Sequence, residues 1–501
     1  MGVTIRNLFD FYMICQKKQL STLFAIILSL FVIVELSSCN DNYISSDPKY
    51  KLEFSTDTLT FDTIFTSLGS ATAKIVVHNR NKVTLNISQI NIVNRSESAF
   101  RINVDGSKSA TNEFKNTEIR PNDSLYIFVA VTVNPNNTNS PVFIEDSLNF
   151  VTNGIKKSIK LNAYGQDMEI LRNRLLKNDT TLTANKPYLI YGNLTVDSAK
   201  TLTLNAGCRL FFRNNANLIV NGNLKALGTV DKPISLRGDR LDKIKFSTPV
   251  PYNNIAGQWG GIYLLWEHGN HTLSHVNMNS GYVGINFVND SKNNLPNLRI
   301  SDCKIHNFLL YGLFTHNGNL TVTNTEISNS SNSCVYLNGG NHSFIHCTIA
   351  NYFDNSSVQP ISRNQHPALM IMNLKLTVPM INTFKNCIIS GSAEIEFSFA
   401  SQLMDQYIGA FDHCYIRSST VSTLSLFTNI RWSNKADLLF KNTSYNYEKK
   451  TYFNFVPDSV SPTRGLADKT VALQFPIDLN GKSRLTDNEP DAGAYEWTPT
   501  K

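Results

Sequence analysis

Six positions carry the side chains best suited to chemistry, and they recur along the second half of the chain. His275, Asp302, Asn324, His346, Asn386 and His413 each head a short core of the form polar–small–variable–apolar, as in Asp302-Cys303-Lys304-Ile305 and His346-Cys347-Thr348-Ile349. The small residues of these cores are spaced by 27, 22, 22, 40 and 27 positions. Imidazole beside carboxylate is the material of acid–base catalysis or of a metal site, and His275 and Asp302 would fall on neighbouring repeats. They are the two catalytic candidates. Yet Asn alternates freely with them, and no second carboxylate column faces them. The column is therefore expected to be a polar corner ladder whose members bond to one another and to backbone. No metal set and no cofactor is assigned. A parallel column, Asn277, Lys304, Glu326, Thr348, Ile388 and Tyr415, is chemically mixed and is expected to be a solvated face.

Four further residues are candidates for contacting a ligand. An exposed Trp266 could stack on sugar rings, whereas Trp259, within Trp259-Gly260-Gly261-Ile262, is expected to pack a coil. An insertion at about 351–366 carries Asp354, Arg363 and His366, and long loops often hold function. It is expected to be a lid, a binding loop or a bulge.

The elements that position these residues follow from the period. About 22 residues with two or three short strands per unit is one coil of a parallel β-helix. A second strand follows each core by eight to ten residues, as in Gly284-Ile285-Asn286-Phe287 and Val335-Tyr336-Leu337. Leucine-rich repeats share the period but would show an L-x-x-L-x-L frame, and propeller blades are about twice as long. Coil corners also explain why Asn makes up about one residue in eight. Asn tolerates left-handed backbone and hydrogen-bonds along a stack. Cys208, Cys303, Cys334, Cys347, Cys387 and Cys414 are expected to be buried and reduced, because in-register side chains on adjacent rungs point the same way.

From 50 to 166 the pattern changes to period-two strands separated by turn signals, such as Ala73-Lys74-Ile75-Val76-Val77 and Leu125-Tyr126-Ile127-Phe128-Val129. About seven short strands without a helix predict an immunoglobulin-like β-sandwich. The fold class is thus all-β: an N-terminal sandwich, then a right-handed parallel β-helix over 167–501 with a C-terminal cap.

Composition agrees. Of 501 residues 42% are hydrophobic, with 29 Phe and 19 Tyr, which excludes a disordered chain. A balance of 46 basic against 39 acidic residues is too even for a nucleic-acid partner. At the N-terminus, Lys17 and Lys18 precede an apolar run over 20–34, short for a membrane span. Residues 1–12, from Met1, are expected to be an upstream extension, since Met13 would open a more conventional signal.

Three resemblances follow from these segments. Leu36-Ser37-Ser38-Cys39 resembles the lipobox of bacterial lipoproteins, which implies a signal peptide over 1–38, lipidation of Cys39 and a polar tether over 39–49. Leu68-Gly69, His78-Asn79, Ala99-Phe100-Arg101-Ile102 and Asn162-Ala163-Tyr164-Gly165 resemble the domains of hydin-type proteins, which are spacers or binding modules. In that match Asn122 and Asp123 replace the usual turn glycine. Gly192-Asn193-Leu194-Thr195-Val196, Gln258-Trp259-Gly260-Gly261-Ile262 and the closing Asp491-Ala492-Gly493-Ala494-Tyr495-Glu496 resemble bacterial β-helix proteins of the pectate-lyase-like superfamily. The order of segments is similar to that of surface lipoproteins of Bacteroidetes.

Enzymes of that superfamily use a carboxylate cluster for calcium with a basic residue, or paired carboxylates, on motifs like N-T-D, D-D and G-H-G. This chain has none of the three. The expectation is a membrane-anchored protein of the cell envelope, at the outer membrane or cell surface. Its role is binding or structural, with a polysaccharide or surface protein as partner. The alternative is a lyase or glycoside hydrolase acting on acidic polysaccharide. Stable attachment needs more than one acyl chain. Replacing Cys39 by Ala is therefore expected to move the protein from the membrane fraction to the soluble fraction after a salt wash; retention on the membrane would remove the lipid as the anchor.

Overall fold

In the computed structural model the described residues are 43–499, less 245–249, 292–293, 358, 360, 364–365, 375–379, 400–406, 436–437 and 447. The proposed signal peptide and Cys39 lie outside them. By backbone proximity the chain forms two compact units. One holds the described residues up to Thr60 with Ser70–Val131 and Glu145–Asn162; the other holds Phe61–Gly69, Thr132–Ile144 and everything from Ala163 onward.

Two five-stranded sheets make the immunoglobulin-like sandwich. The first runs, in spatial order, Glu53–Phe54, Ala73–His78, Ser124–Val131, Phe100–Val104 and Ser107–Lys108; the second runs Thr58–Phe65, Ile155–Gln166, Val142–Thr152, Leu85–Ile92 and Glu113–Ile119. Alternation fixes which face is buried. Leu125, Ile127, Val129 and Val131 are all at most 5% exposed, as expected where every second side chain meets the opposite sheet. Leu85–Ile92 breaks that rhythm: Ile87 and Ile90 are both buried because the register shifts between Ile87 and Gln89. A one-residue bulge restores the inward phase. Structure also begins earlier than position 50. Ile44 bridges Thr84, and Ser45 is 3% exposed, so part of the expected tether belongs to the sandwich.

Most of the rest is a 26-stranded sheet wound into a parallel β-helix with three faces, accompanied by two small antiparallel pairs, Lys243–Ile244 with Val250–Pro251 and Phe440–Asn442 with Asn454–Pro457. The repeated cores form the first face, with strands Val276–Asn279, Lys304–Phe308, Glu326–Ser330, Thr348–Asn351, Ile388–Gly391 and Tyr415–Arg417 paired in parallel register. The second face holds Gly261–Leu264, Ile285–Val288, the start of Leu313–Thr323, the start of Val335–Ile345, and Leu369–Met372. The third, between the second and the next core, holds Asn270–Ser274, Asn297–Ser301 and the distal halves of the two long strands, then Met380–Lys385.

Inside, like stacks on like. Met278, Ile305, Ile327, Ile349 and Ile389 form one column, all fully buried. Phe344, Phe384, Phe411 and Phe427 stack at centroid separations of 4.8, 4.6 and 4.9 Å, the rung spacing of a parallel sheet. All six cysteines are buried and free, and burial pushes the Cys208, Cys303 and Cys334 thiols up to about 12. Those three thiols are therefore poor nucleophiles. At the corners, Asn341 donates to Asn319 at 3.0 Å and Asn319 to Asn297 at 3.3 Å, an amide ladder that accounts for part of the Asn excess.

One interior column departs from this pattern. On the third face His271 aligns with Leu298, Leu320, His342 and Asn382, all pointing inward. His342 is satisfied by Asn382 at 2.7 Å and Thr315 at 3.3 Å. His271 accepts from the Leu224 N–H at 3.3 Å through Nδ1, and its Nε2 is buried without a partner. Burial pushes the His271 imidazole down to about 4. Because an unfolded histidine titrates near 6.5, its stabilising contribution is complete above that value and is lost as pH falls toward 4. Between pH 6.5 and 5 this loss is about 2 kcal/mol. His271→Leu, which matches its neighbours in the column, should raise the melting temperature more at pH 5 than at pH 8. Parallel pH profiles for variant and wild type would show that His271 does not titrate in this way.

Candidate functional site

The six-residue ladder is built by backbone conformation. His275, Asp302, Asn324, His346, Asn386 and His413 all have φ between 50° and 54°. A single left-handed residue turns the chain from the third face to the first. Asn, Asp and His accept that conformation more readily than other side chains. The ladder has the expected form, and its two catalytic candidates, on neighbouring rungs, bond to different partners. The Asp302 carboxylate accepts from the Asn324 amide at 2.7 Å, whereas the His275 ring meets its neighbour Ser274 at 3.0 Å.

What the sequence did not reveal is what lies against the ladder. The C-terminal segment returns along the first face and docks on it. Asn386 donates to the Asp468 carbonyl at 3.1 Å and accepts from the Asp468 N–H at 2.8 Å. Asn324 donates to the Ile477 carbonyl at 3.1 Å and accepts from Arg484 at 2.7 Å. Arg484 is fully buried. Three carboxyl groups surround it: Glu496 at 3.6 Å, with Asp478 and Asp491 close enough to influence it.

The adjoining column is consequently a solvated face only at its start: Asn277 is exposed and Lys304 partly so, but from Glu326 onward it is covered. Glu326 is 1% exposed and Thr348, Ile388 and Tyr415 are equally covered, with Leu439, Phe440, Phe455, Ala494 and Tyr495 packed over the last three and their neighbours. Apolar residues at 388 and 415 were the available signal, since an outward Ile beside an outward Tyr favours a cover. Glu326 accepts from Ser328 at 2.6 Å, from the Tyr495 hydroxyl, and lies 3.6 Å from Lys304. Burial would raise its carboxyl, but Lys304, His306, Ser328 and Tyr495 outweigh burial and hold it below the usual range. Desolvation, with Lys304 next, pushes the His306 imidazole down to about 4. A cavity of about 200 Å³ remains here, with Lys304, His306 and Asn329 on its floor and Tyr445, Tyr452 and Phe453 on its wall.

Two of the remaining candidates, Arg363 and Asp354, are engaged by the scaffold. Arg363 is 4% exposed and grips Glu396 through two bonds of 2.8 and 2.7 Å, with further bonds to the Asn351 and His366 carbonyls. It pins the described part of the insertion to the coil and offers no face to a ligand. Asp354 accepts the Ser392 hydroxyl at 2.6 Å. Trp266 is half-buried, with its ring edge toward His268 at 5.8 Å. Trp259 packs on Phe212 at 4.3 Å, as expected. Among the described residues, Asp412, His413 and Asp468 bring three metal-compatible atoms within 4.8 Å of one another. Asp412 Oδ1 already accepts from Thr428 and Asn429, and Asp468 already caps Thr470.

On the second face, the outward positions read Tyr263, Asn286, Phe314, Tyr336 and Met370 on successive rungs, all partly exposed. Phe314 and Tyr336 stack at 5.1 Å, and Tyr311 leans on both at 5.4 and 5.5 Å. Tyr282, 44% exposed, extends the strip. This aromatic strip was legible: Gly261-Ile262-Tyr263-Leu264, Gly312-Leu313-Phe314-Thr315 and Cys334-Val335-Tyr336-Leu337 share one frame. Aligning the second strands as well as the first would have found it.

The cluster around Arg484 makes docking of the C-terminal segment pH-dependent. Burial first, then the neighbouring carboxylate, pushes Glu496 up to about 8, and burial pushes Asp491 up to about 6. Both titrate higher than in an unfolded chain. Their contribution is thus complete below about pH 4 and is lost as pH rises through about 8. Hydrogen exchange at Ala492–Tyr495, corrected for its intrinsic pH dependence, should speed up about tenfold or more between pH 6 and 9, by the free-energy equivalent of one or more pKa shifts. Glu496→Gln should flatten that profile, and an unchanged profile would exclude Glu496 as its source.

No protein-family model matches the chain, and no curated protein matches it. Solved structures resemble parts of it. One is a protein of unknown function from Porphyromonas gingivalis W83, at 15% identity over 26% of this chain and 50% of that one, with a TM-score of 0.18. Another is a family 123 glycoside hydrolase from Clostridium perfringens, at 11% identity over 23% of this chain and 25% of that one, TM-score 0.17. A third is a PapD-like domain of human CEP192, at 12% identity over 24% of this chain and 88% of that one, TM-score 0.16. The chain spans half of the first of these structures and a quarter of the second.

Proposed function

We propose that this protein is a lipid-anchored envelope protein that binds an extended glycan along the second face of its β-helix. The observation that carries the reading is the aromatic strip of Tyr282, Tyr311, Phe314 and Tyr336, with the Asn286 amide set among the rings. Sugar rings present apolar C–H faces that stack on aromatic side chains, and their hydroxyls bond to amides. A column repeating every 4.8 Å or so offers such contacts to a chain of sugars. A rigid coil also holds the rings in place before the ligand arrives, which lowers the ordering cost of binding.

Cleavage would call for a carboxylate pair, or carboxylates beside a basic residue, within that strip. Its outward positions from Tyr263 to Met370 hold neither. The catalytic alternative therefore has no observation in its favour on this face. The lipobox-like segment supports the anchor.

A glycan array followed by titration of the bound glycans tests the reading. Tyr336→Ala and Phe314→Ala should each weaken binding about fivefold, for stacking worth about 1 kcal/mol, with the fold unchanged. Release of reducing ends or unsaturated products would replace binding by catalysis. Unchanged affinity in both variants would move the ligand off this face.

A further inference from the structure

One end of the sandwich joins exposed apolar side chains to a cluster of cations. The chain enters there. Ile44 bridges Thr84, the Asn153 amide donates to the Asp47 carbonyl at 2.8 Å, and the Asn81 amide donates to the Lys51 carbonyl at 2.9 Å. These bonds gather the entering segment, the 79–84 loop and the 152–155 hairpin at the same end. Three apolar side chains there are open to solvent: Tyr43 at 71%, Ile44 at 45% and Ile155 at 39%. Around them stand the exposed cations Lys49, Lys51, Arg80, Lys82, Lys156 and Lys157. Asp47, Glu53 and Asp57 neutralise Lys49, Arg80 and Lys157 through ion pairs of 2.8, 3.4 and 2.8 Å. A surplus of positive charge remains at Lys51, Lys82 and Lys156.

Beside them lies a groove of about 460 Å³. Leu52, Phe54, Phe150 and Ile155 give it an apolar lining, and Lys51 and Lys156 stand among its polar residues. Apolar and aromatic side chains ringed by lysines suit the boundary between lipid headgroups and acyl chains.

Chain length says which surface meets this end. Three residues separate Cys39 from Tyr43, so four backbone steps span at most about 14 Å. We propose that this end of the sandwich docks on an anionic lipid surface, with Lys51, Lys82 and Lys156 facing headgroup phosphates and Tyr43, Ile44 and Ile155 entering the interface. This rests on the lipid anchor at Cys39, which brings the patch within reach of the bilayer. The lipid then supplies attachment and the patch supplies orientation: the sandwich stands on the membrane by one defined end instead of swinging on a tether.

The test uses the mature-length chain, 39–501, with Cys39→Ala, and vesicles of phosphatidylcholine alone or mixed with phosphatidylglycerol. The unlipidated chain should co-sediment with the mixed vesicles and not with the neutral ones. Binding should vanish at about 1 M salt, where screening acts over about 3 Å. Lys51→Ala and Lys156→Ala, both at exposed positions, should each lower partitioning about fivefold, and Ile155→Ser should lower it further. Equal partitioning into both vesicle types, or lysine variants that bind like the parent, would overturn the proposal. The mass of Cys39 in protein isolated from cells reports the anchor separately. A lipidated Cys39 with no vesicle preference defeats docking alone. An unmodified Cys39 with retained preference defeats the anchor and leaves docking standing.

Discussion

The β-helix depends on one constraint: each coil can satisfy its backbone hydrogen bonds only through the coils on either side of it. Register must then be held rung after rung, and the corner into the first face must turn within one residue. The left-handed backbone at His275, Asp302, Asn324, His346, Asn386 and His413 meets that demand. Everything nearby follows from it. The small residue after each corner fits the tight interior, the apolar residue two places later enters the central column, and the corner side chain is left at the edge with its polar atoms free to bond. The same positions that looked most chemical in the sequence are thus first of all geometric.

This explains what was legible and what was not. Periodicity is a local property, so the parallel coils, the sandwich strands and the buried cysteines could be read from spacing alone. The ladder could be read as structural because Asn stood among its His and Asp members. Burial of the neighbouring column could not, because it depends on contacts between residues 160 or more positions apart, such as Tyr495 with Glu326 and Arg484 with Asn324. Arg363 shows the same limit on a smaller scale. In a loop-like insertion it looked like a ligand contact, yet Glu396, 33 positions on, claims it. The aromatic strip is a different case. Its residues repeat with the coil and were readable, but their frame belongs to the second strand and not to the core that first reveals the period.

Charged groups divide along the same lines. Exposed pairs on the sandwich, such as Arg80 with Glu53, lie in water and contribute little to folding. Glu326, Glu396 and Arg484 are buried; several partners at once offset the cost of losing water for the two glutamates, whereas Arg484 has one hydrogen bond, to Asn324, and relies on the carboxyl groups near it. Removing a single partner from such a group is costly, typically 3–5 kcal/mol, so these clusters define where the chain's parts must come together. They lie where the insertion and the C-terminal segment meet the coil. None lies among the outward positions of the aromatic strip.

Repeat arrays ordinarily gain stability one neighbour at a time and have no inherent length. Here the last forty residues reach back to coils laid down some 160 positions earlier, with Arg484 completing a bond to Asn324 that no adjacent coil can supply. A chain cut short before Arg484 would leave Asn324 without its guanidinium partner, and Glu326 and Thr348 without Tyr495 and Ala494, even with every coil intact. The returning segment thus acts as a seam along the side of the array, tying together coils that are not neighbours in the stack.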